Sequence, residues 1–324
     1  MVMLNLPGIH HVTAITADAQ ANMDFYSGVL GLRVVKVTVN FDDPGSYHLY
    51  YGDATGRPGS AMTFFAWPGA SRGRVGPPQV IAIVFAVPRG SLEFWNERLA
   101  RHGAAEIVPT DRFGEQALSF LDPDGIRLEF VAAARNPATL PGHPAVPLAH
   151  SIVGFHSVTI AEEGYEQTAR LFTDVMHWHA NGSERNRFRY RAASEEGHAA
   201  VVELLCVPDA QRGSMGAGVV HHVAFRTPDD AQQTGWRQRI VELGYNVSPI
   251  MDRRYFRSIY FREPGGVLFE IATDGPGFAV DQSLDQLGSS LVLPPWYEPH
   301  RAYIQNALPP LRLPSGRVVG RSSA

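Results

Sequence analysis

Ile9-His10-His11-Val12-Thr13 and Val220-His221-His222-Val223-Ala224 are two copies of one pattern, a short apolar run that holds a pair of histidines. Glycines precede both copies, which is typical of a chain entering a β-strand. Adjacent side chains of a strand point to opposite faces, so one histidine of each pair can face a shared cavity. If it is the second histidine, His11 and His222 face that cavity.

A third apolar strand supplies a carboxylate, Glu270, within Leu268-Phe269-Glu270-Ile271-Ala272. Two histidines and one carboxylate form the facial triad of non-haem Fe(II) enzymes, which leaves coordination positions open for substrate and O2. The alternative is that the histidines are hydrogen-bonded core residues and Glu270 faces solvent. Three such residues at matched positions favour the metal site, because charged groups on apolar strands are seldom buried without a partner. His10 and His221 either support the ligands or pack within their strands.

The composition describes an ordinary globular protein of 324 residues, with 44% hydrophobic and 19% charged residues. A formal charge of −4 provides no basic surface for nucleic acid. The single cysteine, Cys206, excludes an internal disulfide framework. The sequence shows neither a leader peptide nor an apolar run of membrane-spanning length, so we expect a cytoplasmic protein with no membrane partner.

Four related units follow one another along the chain, and each reads as βαβββ. In the first unit, Asp18 is the expected helix cap and Gly31 the expected helix end. The three strands after that helix are predicted at 33–39, 47–51 and 61–67. The other three helices are predicted at about 91–102, 167–175 and 229–243. Aligning Val12, Val84, Val158 and Val223 gives steps of 72, 74 and 65 residues.

This alignment allows the same two positions to be compared in all four units. The first-strand position holds His11, Ile83, Ser157 and His222. The last-strand position holds a residue near Thr63, then Glu129, Glu203 and Glu270. Only the first and last units together assemble the triad, so the metal is expected between them. Glu129 and Glu203 are expected to be structural residues.

A segment rich in proline divides the chain, and no helix or central strand is expected there. We therefore predict an N-terminal pair of modules at 1–134, a linker at 135–149, a C-terminal pair at 150–275 and a tail at 276–324. The tail contains a short helical stretch at 301–308. It either packs over the outside or covers the mouth of a cavity.

Several motifs together resemble the vicinal oxygen chelate superfamily of paired βαβββ modules and, within it, the hydroquinone ring-cleaving dioxygenases. They are His10-His11-Val12-Thr13, Tyr47-His48-Leu49-Tyr50, Val220-His221-His222-Val223-Ala224-Phe225, Asp252-Arg253, Ser258-Ile259-Tyr260-Phe261 and Glu270-Ile271-Ala272-Thr273-Asp274. The resemblance covers nearly the whole chain. It implies an α+β fold of four βαβββ modules in two tandem domains, with the modules forming open-barrel sheets.

The resemblance also implies roles for individual residues. His11, His222 and Glu270 would bind Fe(II), and the same ligands accept Mn(II). The residues that would support catalysis around them are His10, Thr13, His221, Arg253 and Tyr260. From the residues alone, the favoured interpretation is that Tyr260 is a core aromatic residue and that Arg253 belongs to a surface ion pair. Phe225, Tyr255 and Phe256 either line an aromatic pocket or pack in the core.

The expected activity is therefore Fe(II)-dependent, extradiol-type opening of a para-hydroquinone or substituted hydroquinone by O2, a step of aromatic compound degradation. The catechol-cleaving branch would need a histidine at Ser157. A glyoxalase-type isomerase or thiol transferase would need a fourth ligand in 60–66, which contains no Glu, Gln or His. A drug-binding protein of the same fold would not need the triad. The partners are a small aromatic diol and O2, and the oligomeric state is open, a homo-oligomer included.

Overall fold

Each of the four predicted modules folds as one helix and four strands in the order βαβββ. The computed structural model describes residues 4–134, 144, 146–193 and 199–321. The strands of modules 1 and 2 are β1 Ile9–Thr16, β2 Arg33–Asn40, β3 Asp43–Gly52, β4 Ala61–Ala66, β5 Gln79–Pro88, β6 Ala105–Arg112, β7 Glu115–Leu121 and β8 Arg127–Ala134. The strands of modules 3 and 4 are β9 Gly154–Glu162, β10 His179–Glu184, β11 Arg187–Arg191, β12 Val201–Cys206, β13 Val220–Thr227, β14 Met251–Asp252, β15 Arg257–Arg262 and β16 Leu268–Thr273.

The module helices occur where the sequence predicted them. They are α1 Ala19–Met23, α2 Leu92–Arg101, α3 Glu166–Arg170 and α4 Asp230–Glu242. The Asp18 side chain caps α1 by accepting from the backbone N–H groups of Gln20 and Ala21, as predicted. α1 and α3 each continue into a π-helical turn, Asp24–Val29 and Leu171–Val175. Among the described residues, no helix is both long and apolar enough to cross a membrane.

The sixteen module strands form two eight-stranded sheets, which confirms the α+β fold. One sheet has the order β14-β15-β16-β13-β1-β4-β3-β2 and joins modules 4 and 1. The other has the order β10-β11-β12-β9-β5-β8-β7-β6 and joins modules 3 and 2. At the centre of each sheet the first strands of two modules pair antiparallel, β1 with β13 and β5 with β9. The first and last modules of the chain therefore share one sheet.

A β-bulge lies at the first histidine of each histidine pair. The β1–β13 register shifts between Ile9 and His11, and again between Thr13 and Ala14, so His10 and His221 are the extra residues. The β5–β9 pair has matching shifts at Ile81 and His156. The bulges show that the sequence alignment is one residue out in module 2. Ala82, and not Ile83, corresponds to His11.

The C-terminal tail runs along β2, an edge strand of the first sheet. Leu291 forms a bridge with Val37, and the backbone N–H of Val292 donates to the Val37 carbonyl at 2.9 Å. The tail then forms helix α5, Arg301–Ala307, and a small hairpin of β17 Leu311–Arg312 and β18 Val318–Val319. Pairing with the tail protects an otherwise exposed sheet edge. The tail thus packs over the outside of module 1.

The domain boundaries proposed from the sequence remain a prediction. Residues 135–143 and 145 of the proposed linker 135–149 lie outside the described residues. Leu148–His150, which is described, forms a short 3₁₀ turn.

Two buried carboxyl groups meet where module 3 contacts module 4. Glu263 in the β15–β16 turn accepts hydrogen bonds from the Thr168 hydroxyl and from the backbone N–H groups of Gly265 and Val267. Glu162, at the end of β9, is fully buried, and neither carboxyl oxygen has a hydrogen-bond partner among the described residues. Burial, and then the charge of Glu263, raise the pKa of Glu162 to about 8.

We predict that Glu162→Gln makes stability less dependent on pH. A carboxyl whose pKa is raised by folding contributes stability that is present below its unfolded pKa, about 4.3, and is lost as the pH rises towards 8. At pH 8.5 the melting temperature of the variant should exceed that of the wild type by about 2 °C or more. The gain in melting temperature should be smaller at pH 5. The control is Glu97→Gln, on the exposed face of α2. An equal gain at both pH values would contradict this explanation.

Candidate metal centre

Three neighbouring strands bring His11, His222 and Glu270 together. Their potential ligand atoms all lie within 4.8 Å of one another. The Nε2 atom of His222 is 2.9 Å from Oε2 of Glu270 and 3.4 Å from Nε2 of His11. Oε2 of Glu270 is 3.3 Å from Nε2 of His11. All three side chains are buried, with at most 4% of the surface of any of them exposed.

Strand register explains why these residues meet. His11 on β1 is paired with Ala224 on β13, and Ala224 is paired with Glu270 on β16. His11 and Glu270 thus lie in one row across three strands. His222 precedes Ala224 by two residues and lies on the same face of β13. The geometry agrees with the prediction, made from the alternation of side chains along a strand, that the second histidine of each pair faces the cavity.

The neighbouring histidines hold the rings of His11 and His222. The Nδ1 atoms of His10 and His11 are 2.9 Å apart, and those of His221 and His222 are 2.8 Å apart. Burial, and then the neighbouring His222, lower the pKa of His221 to about 3, so this ring is neutral. Each pair therefore shares one hydrogen bond through Nδ1 and leaves Nε2 of the second histidine directed at the centre. Fixing a ligand ring through its other nitrogen is the usual arrangement at metal sites.

Glu270 presents one unsatisfied oxygen to these rings. The Ser258 hydroxyl donates to Oε1. Oε2 faces both Nε2 atoms but accepts no well-aligned hydrogen bond from the described residues. Burial alone would raise the pKa of Glu270, yet His11 and His222 hold it well below its ordinary value. A buried, ionised oxygen facing two imidazole nitrogens fits a divalent metal ion of the Fe(II) or Mn(II) type.

A cavity of about 30 Å³ opens beside the three residues. It is lined by Thr13 and His48 of module 1, by Arg253, Phe256 and Tyr260 of module 4, and by the groups His11, His222, Asn40, Phe41, Asp42, Tyr50 and Phe65. Of the predicted supporting residues, Thr13, Arg253 and Tyr260 thus face the cavity, while His10 and His221 contact the candidate ligands. Phe256 lines the cavity, whereas Phe225 and Tyr255 pack in the core.

Arg253 connects the two modules at the cavity mouth. Its Nε donates to the Tyr260 hydroxyl at 3.2 Å, and its terminal nitrogens lie 3.0 and 3.3 Å from the carboxylate of Asp42. Burial, and then the charge of Glu270, raise the pKa of Tyr260, so Tyr260 remains a neutral phenol. The sequence indicated Arg253 and Tyr260 only through the resemblance. It gave no signal for Asp42, whose part depends on a turn between β2 and β3.

The second sheet uses the corresponding positions differently. Arg112 forms ion pairs with both Glu129 and Glu203, and Arg187 and Arg189 also bind Glu203. The histidine positions hold Ala82 and Ser157 there. Both carboxylates are therefore neutralised by arginines, in keeping with the structural role expected for them.

Comparison with known protein families gives a match over both halves of the chain. The family model for the glyoxalase/bleomycin resistance protein/dioxygenase superfamily matches residues 8–130 and 154–271. These ranges contain His11, His222 and Glu270.

Individual relatives match over almost the full length. A Bacillus subtilis (strain 168) protein named ring-cleaving dioxygenase MhqO is 46% identical over 306 residues, which is 94% of this chain and 97% of that protein. A Sphingobium indicum protein named chlorohydroquinone/hydroquinone 1,2-dioxygenase is 34% identical over 307 residues, 91% of this chain and 95% of that protein. The crystal structure of a protein from Bacillus subtilis subsp. subtilis str. 168, named as a dioxygenase, superposes with a TM-score of 0.91 at 45% identity and covers 95% of this chain and 98% of that one.

We predict that His222→Ala abolishes stoichiometric binding of a divalent metal, because it removes one of three buried donors. The measurement is metal content per chain after anaerobic reconstitution with Fe(II) and removal of free ion. His179→Ala, on the exposed strand β10, is the control and should bind one ion per chain like the wild type. Equal metal content in His222→Ala and the wild type would contradict the assignment.

Proposed function

Because the chain belongs to the glyoxalase/bleomycin resistance protein/dioxygenase superfamily, we propose that it is an Fe(II)-dependent, extradiol-type dioxygenase that opens a para-hydroquinone or substituted hydroquinone with O2. The observation that carries the proposal is the buried set of two imidazole nitrogens and one carboxylate oxygen from His11, His222 and Glu270. Relatives named as ring-cleaving dioxygenases, one of them a hydroquinone 1,2-dioxygenase, support the reaction class.

These three side chains would hold the metal at one wall of the cavity. A bound Fe(II) ion would supply positive charge for an ionised substrate hydroxyl and open positions for substrate and O2. The protein contributes an aromatic setting for the ring through Phe65 and Phe256.

Tyr260 and Arg253 would act on the substrate oxygens. The neutral phenol of Tyr260 can donate a hydrogen bond or a proton, and its ring lies against His222 with centroids 5.7 Å apart. Arg253 holds the Tyr260 oxygen and adds positive charge to the wall. Asp42 opposes part of that charge and orients the guanidinium from across the mouth.

The cavity must widen before a ring can enter. Its volume is about 30 Å³. An engineered cavity that holds benzene measures about 150 Å³. The rim includes the turn at Asn40–Asp42, which Arg253 holds from one side. On the other side, the Tyr297 hydroxyl of the tail donates to the Phe41 carbonyl at 2.9 Å. Movement of this turn is the entry step that we propose.

The structure offers little support for glyoxalase-type chemistry. In module 1, Thr63 occupies the position of Glu270, because Thr63 pairs with Thr13 as Glu270 pairs with Ala224. The Thr63 hydroxyl bonds to Thr13 and His48, so no strong fourth ligand stands at that position. The catechol-cleaving arrangement is likewise disfavoured, because Ser157 replaces the histidine that it needs. The cytoplasmic location and the oligomeric state stay predictions.

The test is oxygen uptake after anaerobic reconstitution with Fe(II), and separately with Mn(II), using panels of hydroquinones and catechols. We expect one O2 per hydroquinone and a ring-opened product, with His179→Ala behaving like the wild type and His11→Ala inactive. Uptake with catechols alone would place the protein in the other branch. No uptake with any diphenol despite bound metal would contradict the proposal and favour isomerase chemistry.

A second prediction concerns Tyr260. Tyr260→Phe keeps the ring against His222 but removes the hydroxyl, so kcat should fall by about 10²-fold while metal content is unchanged. Tyr303→Phe, at a position that is 78% exposed, is the control. An unchanged kcat in Tyr260→Phe would show that this hydroxyl takes no part in the reaction.

A further inference from the structure

A chain of hydrogen bonds links four polar side chains in the cavity wall. The Thr13 and Thr63 hydroxyl oxygens are 2.7 Å apart. The Thr63 hydroxyl is 3.0 Å from Nε2 of His48, and Nδ1 of His48 is 2.9 Å from the Tyr50 hydroxyl. Thr13, at one end of this hydrogen-bond chain, lines the cavity, and so do His48 and Tyr50 at the other end. Both ends of the chain therefore lie at the cavity wall.

Adjacent strands build this chain. Thr13 on β1 is paired with Thr63 on β4, and Thr63 is paired with Tyr50 on β3. His48 lies two residues before Tyr50 and therefore on the same face of β3. Thr13 follows His11 by two residues and is paired with His222. One end of the chain thus lies beside the candidate metal ligands.

Tyr50 sets the direction of the chain. Its ring is buried against Tyr255 and Phe278, and burial raises the pKa of Tyr50 well above its ordinary value, so the phenol keeps its proton. Among the described residues, Nδ1 of His48 is the acceptor within reach of that hydroxyl. A buried hydroxyl left without an acceptor is unfavourable, which favours donation from the Tyr50 hydroxyl to Nδ1 over the reverse direction.

The remaining protons follow from this first bond. A histidine nitrogen that accepts a hydrogen bond carries no proton of its own. A neutral ring that accepts at Nδ1 carries its proton on Nε2 and donates it to Thr63. Thr63 then donates to Thr13. The Thr13 proton has no further acceptor in the chain and is directed to the cavity.

We infer that His48 is a positioning residue, an inference that rests on the proposed function. Through Thr63, His48 holds the Thr13 hydroxyl as a hydrogen-bond donor to an ionised hydroxyl of the substrate. A donor fixed before the substrate binds stabilises negative charge more effectively than a hydroxyl that is free to turn. The chain would therefore favour the phenolate form of the diol beside the metal.

The first test is independent of metal and substrate. In the metal-free protein, ¹⁵N NMR of labelled histidines should show His48 protonated at Nε2, with the signal assigned by its loss in His48→Gln. Tyr50→Phe removes the donor to Nδ1 and should give a mixture of the two tautomers. A wild-type His48 protonated at Nδ1 would overturn the inference.

The second test is kinetic. Thr63→Val keeps the shape of the side chain but interrupts the hydrogen-bond chain, so kcat/KM should fall about 10-fold while metal content stays unchanged. Thr38→Val is the matched control, because Thr38 is paired with His48 across β2 and β3 and its buried hydroxyl has no partner among the described residues. An unchanged kcat/KM in Thr63→Val would overturn the inference. If the wild type opens no diphenol, the proposed function fails. The NMR measurement of the His48 tautomer then still tests the direction of the hydrogen bonds by itself.

Discussion

The antiparallel pairing of β1 with β13 is the constraint on which the rest of the structure depends. It joins strands whose histidines, His11 and His222, are 211 residues apart in sequence. That pairing merges the first and last modules into one sheet and places Glu270 in the next strand of the same row. The bulges at His10 and His221 then bring each preceding ring to the Nδ1 atom of a candidate ligand. The strand register therefore determines the positions of the candidate ligands and of the histidines that hydrogen-bond to them.

Much of this could be predicted from the sequence, because repeats and side-chain parity are local patterns. The four modules, the helix cap at Asp18 and the meeting of His11, His222 and Glu270 follow from such patterns. What could not be predicted depends on bulges and turns. The extra residue at Ile81 shifted the alignment of module 2 by one position. Asp42 acts through a turn, and His48, although it lies in a motif of the resemblance, acts through contacts across strands that a single sequence does not reveal.

The two sheets show two ways of keeping carboxylates buried in one fold. In the second sheet, arginines surround Glu203, which therefore keeps its charge through ion pairs. In the first sheet, Glu270 is fully buried with two imidazole rings beside it and one oxygen without a well-aligned hydrogen bond. A buried carboxylate of the second kind is unfavourable unless a cation completes its surroundings. This contrast within one chain is the physical reason for placing the metal between modules 1 and 4.

The measurement that tests this account most directly is a crystal structure of the Fe(II)-loaded protein with anomalous scattering recorded at the iron absorption edge. The account predicts one iron per chain, coordinated by Nε2 of His11, Nε2 of His222 and the carboxylate of Glu270 from that same chain. Iron bound elsewhere, or held by ligands from two different chains, would contradict it.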